Sequence, residues 1–195
     1  MLASSVIPLI VVLNFSHVPN QTVQHWVVEI QRQVHEDLAP VWHLDATVSF
    51  LGTGPAPSGA WQVRIIEPRH AVGNAGFHDG SGHRIPYADV YVLKDDQTDN
   101  TLSHEVLEML ANPYNDLYVE DYPWMWEREI ADPVQFESYI RNGVHLSNFV
   151  FPSWFDALTQ IPPYDFMGTC DTPGHPVHGR AIRMNETTGV REVVH

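Results

Sequence analysis

The stretch Ser103-His104-Glu105-Val106-Leu107-Glu108-Met109-Leu110 decides how the rest of this chain is interpreted. It predicts a helix on which His104 and Glu108, four residues apart, lie one above the other on the same face. Apolar side chains recur at helical spacing on the other face, and they are Leu102, Val106, Met109 and Leu110. The helix is therefore expected to be at least half buried. Asn112 and Pro113 predict that it ends shortly after this stretch.

The same helix carries the residue types of a known metal-binding motif. In the His-Glu-x-x-His helix of zinc peptidases, side chains at i and i+4 bind one ion, and the intervening glutamate takes a proton from the water on that ion. Here Glu108 replaces the second histidine, and a carboxylate oxygen binds zinc at a similar distance. The added negative charge widens the choice of ion toward harder cations. The pattern predicts His104 and Glu108 as metal ligands and Glu105 as general base.

A second acidic cluster follows the helix, at Glu127, Glu129 and Asp132. One His/Glu pair offers too few ligands for tight binding, so a third ligand is expected from a later segment. We expect Asp132 to be that ligand, with Glu129 as the alternative. Two acids three residues apart cannot face one point from a strand, although they can from a helix or a turn.

Composition limits the class of protein. The chain has 195 residues, 44% of them hydrophobic, which predicts one globular domain over residues 1–195 with a substantial core. A formal charge of −14 argues against nucleic acid and against a membrane surface as partners. The single cysteine, Cys170, excludes an internal disulfide and a cysteine-rich zinc site, and we interpret it as a passive thiol.

An apolar run near the N-terminus, residues 6–13, is too short to span a bilayer, and no Lys or Arg precedes it. We interpret this run as a buried first strand with Pro8 near its start. A signal peptide is not expected, and a cytoplasmic location is favoured. Nothing in the sequence indicates an oligomeric state.

The remaining pattern predicts an α+β fold. Apolar residues recur at three and four over residues 22–38, which indicates an amphipathic helix that ends at Pro40. Residues 46–51, 61–66 and 88–93 are predicted strands, so a mixed sheet with a helix across one face is expected. After Pro113 the chain is expected to be aromatic and irregular, with a Pro/Gly-rich tail from residue 161 onward.

A glycine-rich loop is predicted over residues 76–84, and it contains His78 and His83. This loop and the strand after it would suit a sheet edge that pairs with an extended peptide. His78 or His83 could then assist at the site. The alternative is that these histidines are ordinary, solvent-exposed loop residues.

Several stretches together resemble a group of largely uncharacterised bacterial zincin-like proteins. One is the tract from Ser103 to Pro113, followed by Glu129-Ile130-Ala131-Asp132, where the group's pattern is Ser-His-Glu-x-x-Glu-x-x-x-Asp-Pro and then Glu-x-x-Asp. The others are Leu38-Ala39-Pro40-Val41-Trp42, Gly76-Phe77-His78-Asp79 and Ser147-Asn148-Phe149-Val150-Phe151-Pro152-Ser153-Trp154-Phe155. The resemblance covers residues 34–168 and implies a zincin-like, peptidase-like α+β fold that binds a metal. The chain departs from the pattern at Asn112, where Asp is usual, and at Gln135, where an acid is often found.

These features predict a single zincin-like domain that hydrolyses a peptide or protein substrate with a metal-activated water. The predicted ligands are His104, Glu108 and Asp132, with Glu129 as the alternative, and Glu105 is the general base. One divalent ion is expected, zinc first, although two carboxylate ligands also admit manganese or calcium.

Three other interpretations stay open. The same residues could hold a structural ion, or an inactive zincin frame could serve as a binding or particle-associated protein. In the third, no metal binds, and His104 and the acids form a hydrogen-bond network or a solvated acidic helix face. A catalytic ion keeps a position for water, whereas a structural ion is closed by protein ligands.

Overall fold

The computed structural model describes residues 7–68, 73–80, 82, 85–94, 97–156, 158 and 161–195. Five strands form a mixed sheet in the order β2-β1-β3-β5-β4. They are β1 (Leu9–Phe15), β2 (Thr47–Gly52), β3 (Trp61–Ile66), β4 (Gly76–Asp79) and β5 (Tyr87–Tyr91). All neighbouring pairs run parallel except β4 and β5, which are antiparallel. The predicted α+β class with a mixed sheet is confirmed.

The first strand, β1, lies inside the sheet between β2 and β3. Ile10 and Val12 are fully buried, and Val11 and Leu13 nearly so, as expected for a parallel strand covered on both faces. The strand begins at Leu9, directly after Pro8, in agreement with the predicted start. The first residue of the predicted run, Val6, lies outside the described residues.

The first helical segment continues further than the sequence predicted. It consists of α1 (Asn20–Arg32), a π-helical segment (Gln33–Leu38) and α2 (Ala39–Trp42). The prediction that Pro40 ends the helix was wrong. Pro40 is the second residue of α2, directly after the π-helical segment, and the chain stays helical through it to Trp42.

The helix that carries the metal motif, α3, spans Thr98–Ala111 and ends just before Asn112. Leu102, Val106 and Met109 are fully buried, which confirms the predicted apolar face. The Arg128 side chain donates hydrogen bonds to the carbonyl of Ala111, so a cation covers the open C-terminus of this helix.

A buried hydrogen-bond network anchors the middle of α3 at Ser103. The Ser103 hydroxyl donates to Oε1 of Gln33 over 2.7 Å and accepts the N–H of Ser147 over 2.9 Å. Nε2 of Gln33 in turn donates to the carbonyl of Ser147 over 2.9 Å. The π-helical segment, α3 and a later strand are therefore joined immediately before His104.

The second half of the chain contains more regular structure than predicted. Four strands pair in the order β11-β10-β7-β6, and they are β6 (Tyr118–Asp121), β7 (Trp124–Glu127), β10 (Ala181–Asn185) and β11 (Arg191–Val194). A separate hairpin consists of β8 (Ser138–Arg141) and β9 (Val144–Ser147). The prediction of an irregular segment and a tail was wrong for these residues, whereas residues 161–180 contain no helix and no named strand. These strands are four or five residues long, which is too short to show a period in the sequence.

The single thiol is buried. Burial and the nearby carboxylate of Asp165 raise the pKa of Cys170 to about 12. A thiol with such a pKa stays protonated at neutral pH and is a poor nucleophile, in line with the passive role predicted for it. Among the residues that the structure describes, no helix combines the length and apolar character needed to cross a membrane.

Candidate metal centre

A cleft of about 520 Å³ lies between α3, the edge strand β4 and residues 128–137. These residues follow β7, include the short 3₁₀ helix, and are called the acidic loop. It contains all of the sequence-predicted site residues: His104, Glu105, Glu108, Glu129 and Asp132. His78 also lines this cleft, as do Asn74 and Gly76, which come shortly before it in the sequence. Glu127, the first acid of the predicted cluster, is at the cleft wall and pairs with Arg191.

One cluster of ligand atoms is centred on His104. Its Nε2 lies 3.1 Å from Oε2 of Glu108 and 3.6 Å from Oδ1 of Asp132. The helix supplies the first two side chains at i and i+4, and a short 3₁₀ helix, Asp132–Val134, supplies the third. One ligand atom from each residue falls within 4.8 Å of the other two, so the three could hold one metal ion.

The two acids that competed for the third position belong to different clusters. Asp132 faces His104, whereas Oε2 of Glu129 lies 3.7 Å from Nε2 of His78. The turn between them provides this divergence, because Asp132 begins the 3₁₀ helix and Glu129 lies in the preceding loop. A second group of ligand atoms within 4.8 Å of one another therefore comes from His78, Glu108 and Glu129.

His78 reaches this cluster from β4, not from a loop. The prediction of a loop over residues 76–84 was wrong for Gly76–Asp79, which pair with β5. His83 lies outside the described residues. The His78 side chain is only 6% exposed, so it is not the solvent-exposed residue of the alternative interpretation. The sequence offered one indication of its role, the matching tract Gly76-Phe77-His78-Asp79.

Asn112 organises the region between the helix and the acidic loop. Its carbonyl accepts a hydrogen bond from Nε2 of His78 over 3.2 Å, and its Nδ2 donates to Oε1 of Glu129 over 2.7 Å. Its side-chain oxygen accepts the N–H groups of Asp116 and Leu117. Asparagine at this position thus supplies a donor to Glu129 that an aspartate would lack.

Glu105 lies between the clusters and the edge strand. Its side chain is 6% exposed, and its Oε2 lies 3.6 Å from Nδ1 of His78. That oxygen has no hydrogen-bond partner among the described residues. A Cβ built on Gly76 would come within 2.5 Å of Oε1 of Glu105, so only glycine lets the carboxylate pack this closely against β4.

The charges shift the pKa values of the cluster. Burial lowers the pKa of His78, but Glu105, Glu129 and Glu108 outweigh burial and raise this pKa to about 9. Burial, followed by repulsion from Glu108, raises the pKa of Glu129 to about 8. Burial also raises the pKa of Glu105. Without a metal, such a cluster must bind protons to limit the repulsion between its carboxylates.

His104 and Asp132 are each stabilised in the charged form by their neighbours. Burial opposes the charged forms of both partners, but Glu108 and Asp132 raise the pKa of His104 well above its usual value. Burial likewise works against ionised Asp132, yet His104 and Arg180 lower its pKa. Imidazole nitrogens and carboxylate oxygens are donors that zinc, manganese and other divalent ions accept.

No protein-family model, no curated protein and no solved structure matches this chain. The resemblance to zincin-like proteins stays a prediction from the sequence motifs.

Proposed function

We propose that this chain is a zincin-type, metal-dependent hydrolase that cleaves peptide bonds. The observation that carries the proposal is the meeting of His104, Glu108 and Asp132 in one cleft, with a ligand atom from each within 4.8 Å of the others. These three residues would hold the ion, and zinc is the first candidate, with manganese or calcium as alternatives. A divalent ion bound there would lower the pKa of a bound water and polarise a substrate carbonyl.

Glu105 is the proposed general base. It follows His104 on α3, and its carboxylate lies beside the cluster without being one of the three ligands. Oε2 of Glu105 makes no hydrogen bond within the described part of the chain, so it is free to accept a proton from an attacking water. Contact with Gly76 holds the carboxylate toward the side of the cleft where a substrate would lie.

The edge strand β4 is the proposed docking element for the substrate. It ends the strand order of the five-stranded sheet, and residues 74–78 line the cleft. An extended peptide can add to such an edge through main-chain hydrogen bonds, which accept many side chains. A peptide bound there would run past Glu105 and His104. This placement favours peptides over small-molecule substrates.

The test compares wild type with Glu105→Gln after loading with Zn²⁺, using a diverse peptide library and mass spectrometry. Glutamine keeps the shape of the side chain but cannot take the proton. The variant is expected to fold, keep its ion and lose cleavage by roughly 10²–10⁴-fold. Glu120→Gln, which changes an exposed glutamate, is the matched control and should cleave like wild type.

A structural ion is the competing function, and the burial of the ligands favours it. The side chains of His104 and Asp132 are each 13% exposed, and that of Glu108 is 6% exposed. If metal-loaded wild type and Glu105→Gln are equally inert across the library, the hydrolase proposal is wrong. A hydroxamate peptide separates the cases further, because it binds an ion that keeps an open position and not one closed by protein ligands.

A further inference from the structure

We propose that the cleft holds a second divalent cation, bound by His78, Glu108 and Glu129, and that Glu108 bridges it to the ion at His104. This inference rests on the proposed function for the first ion and adds a site that the hydrolase proposal does not require. Two of its three ligands, His78 and Glu129, come from β4 and the acidic loop, whereas the ligands of the first ion come from α3 and the 3₁₀ helix.

The orientation of Glu108 supports its role as a bridge between two ions. Its Oε1 accepts the backbone N–H of Asp132 over 3.0 Å, which fixes the plane of the carboxylate. Its Oε2 then lies 3.1 Å from Nε2 of His104 and 3.9 Å from Nδ1 of His78. A carboxylate oxygen that faces two imidazoles from different elements can act as a bridging ligand when both sites hold an ion. In two-metal hydrolase sites the ions lie about 3.5–4 Å apart, close enough for such bridging.

The hydrogen bond made by the His78 ring supports its role as a ligand of the second ion. Its Nε2 lies 3.2 Å from the carbonyl of Asn112, and a carbonyl can only accept, so Nε2 carries the hydrogen. Oε2 of Glu129 lies 3.7 Å from this nitrogen. In the neutral ring Nδ1 carries the lone pair, and it lies 3.6 Å from Oε2 of Glu105 and 3.9 Å from Oε2 of Glu108. Histidines that bind metals commonly donate their other ring N–H to a backbone carbonyl in this way.

Two carboxylate oxygens that lack hydrogen bonds give independent support for a cation beside His78. Oε2 of Glu105 and Oε2 of Glu129 are buried and make no hydrogen bond to any described residue. The Glu105 side chain is 6% exposed and directs this oxygen toward His78. A buried carboxylate oxygen without a hydrogen bond costs free energy. A cation at the proposed second site would bind Oε2 of Glu129 and lie beside Oε2 of Glu105, which would reduce that cost at both oxygens.

The donor set indicates the class of cation. One imidazole and two carboxylates, one of them shared, suit a borderline or hard divalent ion such as Zn²⁺ or Mn²⁺. Soft ions that prefer thiolates find no such donor here, because the only cysteine, Cys170, is not among the residues that line the cleft.

The test counts ions in the full-length chain after removal of metal. Equilibrium dialysis against Zn²⁺ and, separately, Mn²⁺ is followed by elemental analysis. Wild type should hold about two ions per chain, and His78→Gln and Glu129→Gln about one each. His35→Gln, a surface histidine that pairs with Asp45, should match wild type. With Mn²⁺, wild type should show an exchange-coupled electron paramagnetic resonance spectrum that both cleft variants lose.

The controls separate this inference from the proposed function. Glu129→Gln keeps the acceptor for Nδ2 of Asn112, so it should fold even if His78→Gln does not, and circular dichroism checks both. If wild type holds about one ion, lost in His104→Ala but kept in the variants at His78 and Glu129, the second position is wrong and the first stands. If wild type holds no ion, both proposals are wrong.

Discussion

The backbone N–H of Asp132 donates a hydrogen bond to Oε1 of Glu108 over 3.0 Å. This bond joins α3 to the 3₁₀ helix of the acidic loop, 24 residues later in the chain. Because it occupies Oε1, the other oxygen of Glu108 is left to face His104. The same contact therefore joins two distant parts of the chain and determines which oxygen of Glu108 faces His104.

Glu108→Gln separates these two roles. Glutamine can keep an oxygen for the N–H of Asp132, but it removes the negative charge that faces His104. Loss of a residue that only hydrogen-bonds a metal ligand costs roughly 10–100-fold in metal affinity. We expect loss of the ligand itself to lower Zn²⁺ affinity by more than that. Isothermal titration calorimetry measures the affinity, with Glu186→Gln, a change at an exposed position, as control. Unchanged affinity in Glu108→Gln would show that this residue is not a ligand.

Gly76→Ala tests whether β4 holds Glu105, the proposed general base, in place. The new methyl group would come within 2.5 Å of Oε1 of Glu105 and must displace the carboxylate. A displacement of about 1 Å costs on the order of 10²-fold in rate, so kcat/KM on a cleaved peptide should fall by that factor. The ion at His104 should remain, since Glu105 is not among its three proposed ligands.

Gly73→Ala is the matched control for Gly76→Ala. A Cβ at Gly73 meets no atom of the described residues within 4 Å, and the residue needs no positive φ. This variant should keep wild-type cleavage and metal content. Equal rates in the variants at Gly76 and Gly73 would mean that contact with β4 does not position Glu105.

The parts of the fold that could be predicted are those with strong local patterns. The prediction of Trp61–Ile66 as a strand matches β3, and the helix around His104 lies within α3. Both elements are central and packed on core residues, so their apolar spacing reflects burial directly. Asp132 was also expected to lie near His104, because a His/Glu pair on one helix offers too few ligands for a metal ion and a third is needed from a later segment.

The parts that could not be predicted depend on pairing between distant residues. β10 pairs with β7 across the chain, with Arg183 opposite Trp126, and no local pattern contains that partner. His78 lies in a four-residue edge strand that contains Asp79 and starts with Gly76, a composition typical of a loop. Only the antiparallel pairing with β5 makes it a strand and directs His78 toward α3.

Asp165 predicts how stability depends on pH at a site away from the cleft. Burial raises its pKa, but hydrogen bonds from Asn148, Cys170 and Thr169 outweigh burial and lower it. A lowered native pKa stabilises the fold above the unfolded value of about 3.9, and the contribution is lost as pH falls through the native pKa. Wild type should therefore lose free energy of unfolding below about pH 4.

Asp165→Asn should remove this part of the pH dependence. The charged acceptor takes Nδ2 of Asn148 at 2.6 Å and the N–H of Cys170 at 2.7 Å, so its loss should cost about 1.5–3 kcal/mol at pH 7. Urea unfolding at pH 7 and at pH 3 measures both effects. Asp171→Asn, at an exposed position, should follow wild type. A slope with pH in Asp165→Asn equal to that of wild type would exclude this carboxylate as the cause.

Ser103→Ala tests whether the serine before His104 is structural or part of the chemistry. The Ser103 hydroxyl is fully buried and bonded to Gln33 and Ser147, and it is not among the residues that line the cleft. Alanine would leave Oε1 of Gln33 and the N–H of Ser147 without this partner, at a cost of about 1–3 kcal/mol in the free energy of unfolding.

The ion at His104 and the cleavage rate should nevertheless survive in Ser103→Ala, because none of its proposed ligands contacts the lost hydroxyl. Urea unfolding, elemental analysis and peptide cleavage are measured on the same preparation, at a temperature where the variant is fully folded. Ser58→Ala, at an exposed turn position, controls for the loss of a hydroxyl alone and should change none of the three. Loss of cleavage in Ser103→Ala with stability unchanged would reverse the assignment, because a structural hydroxyl must affect unfolding first.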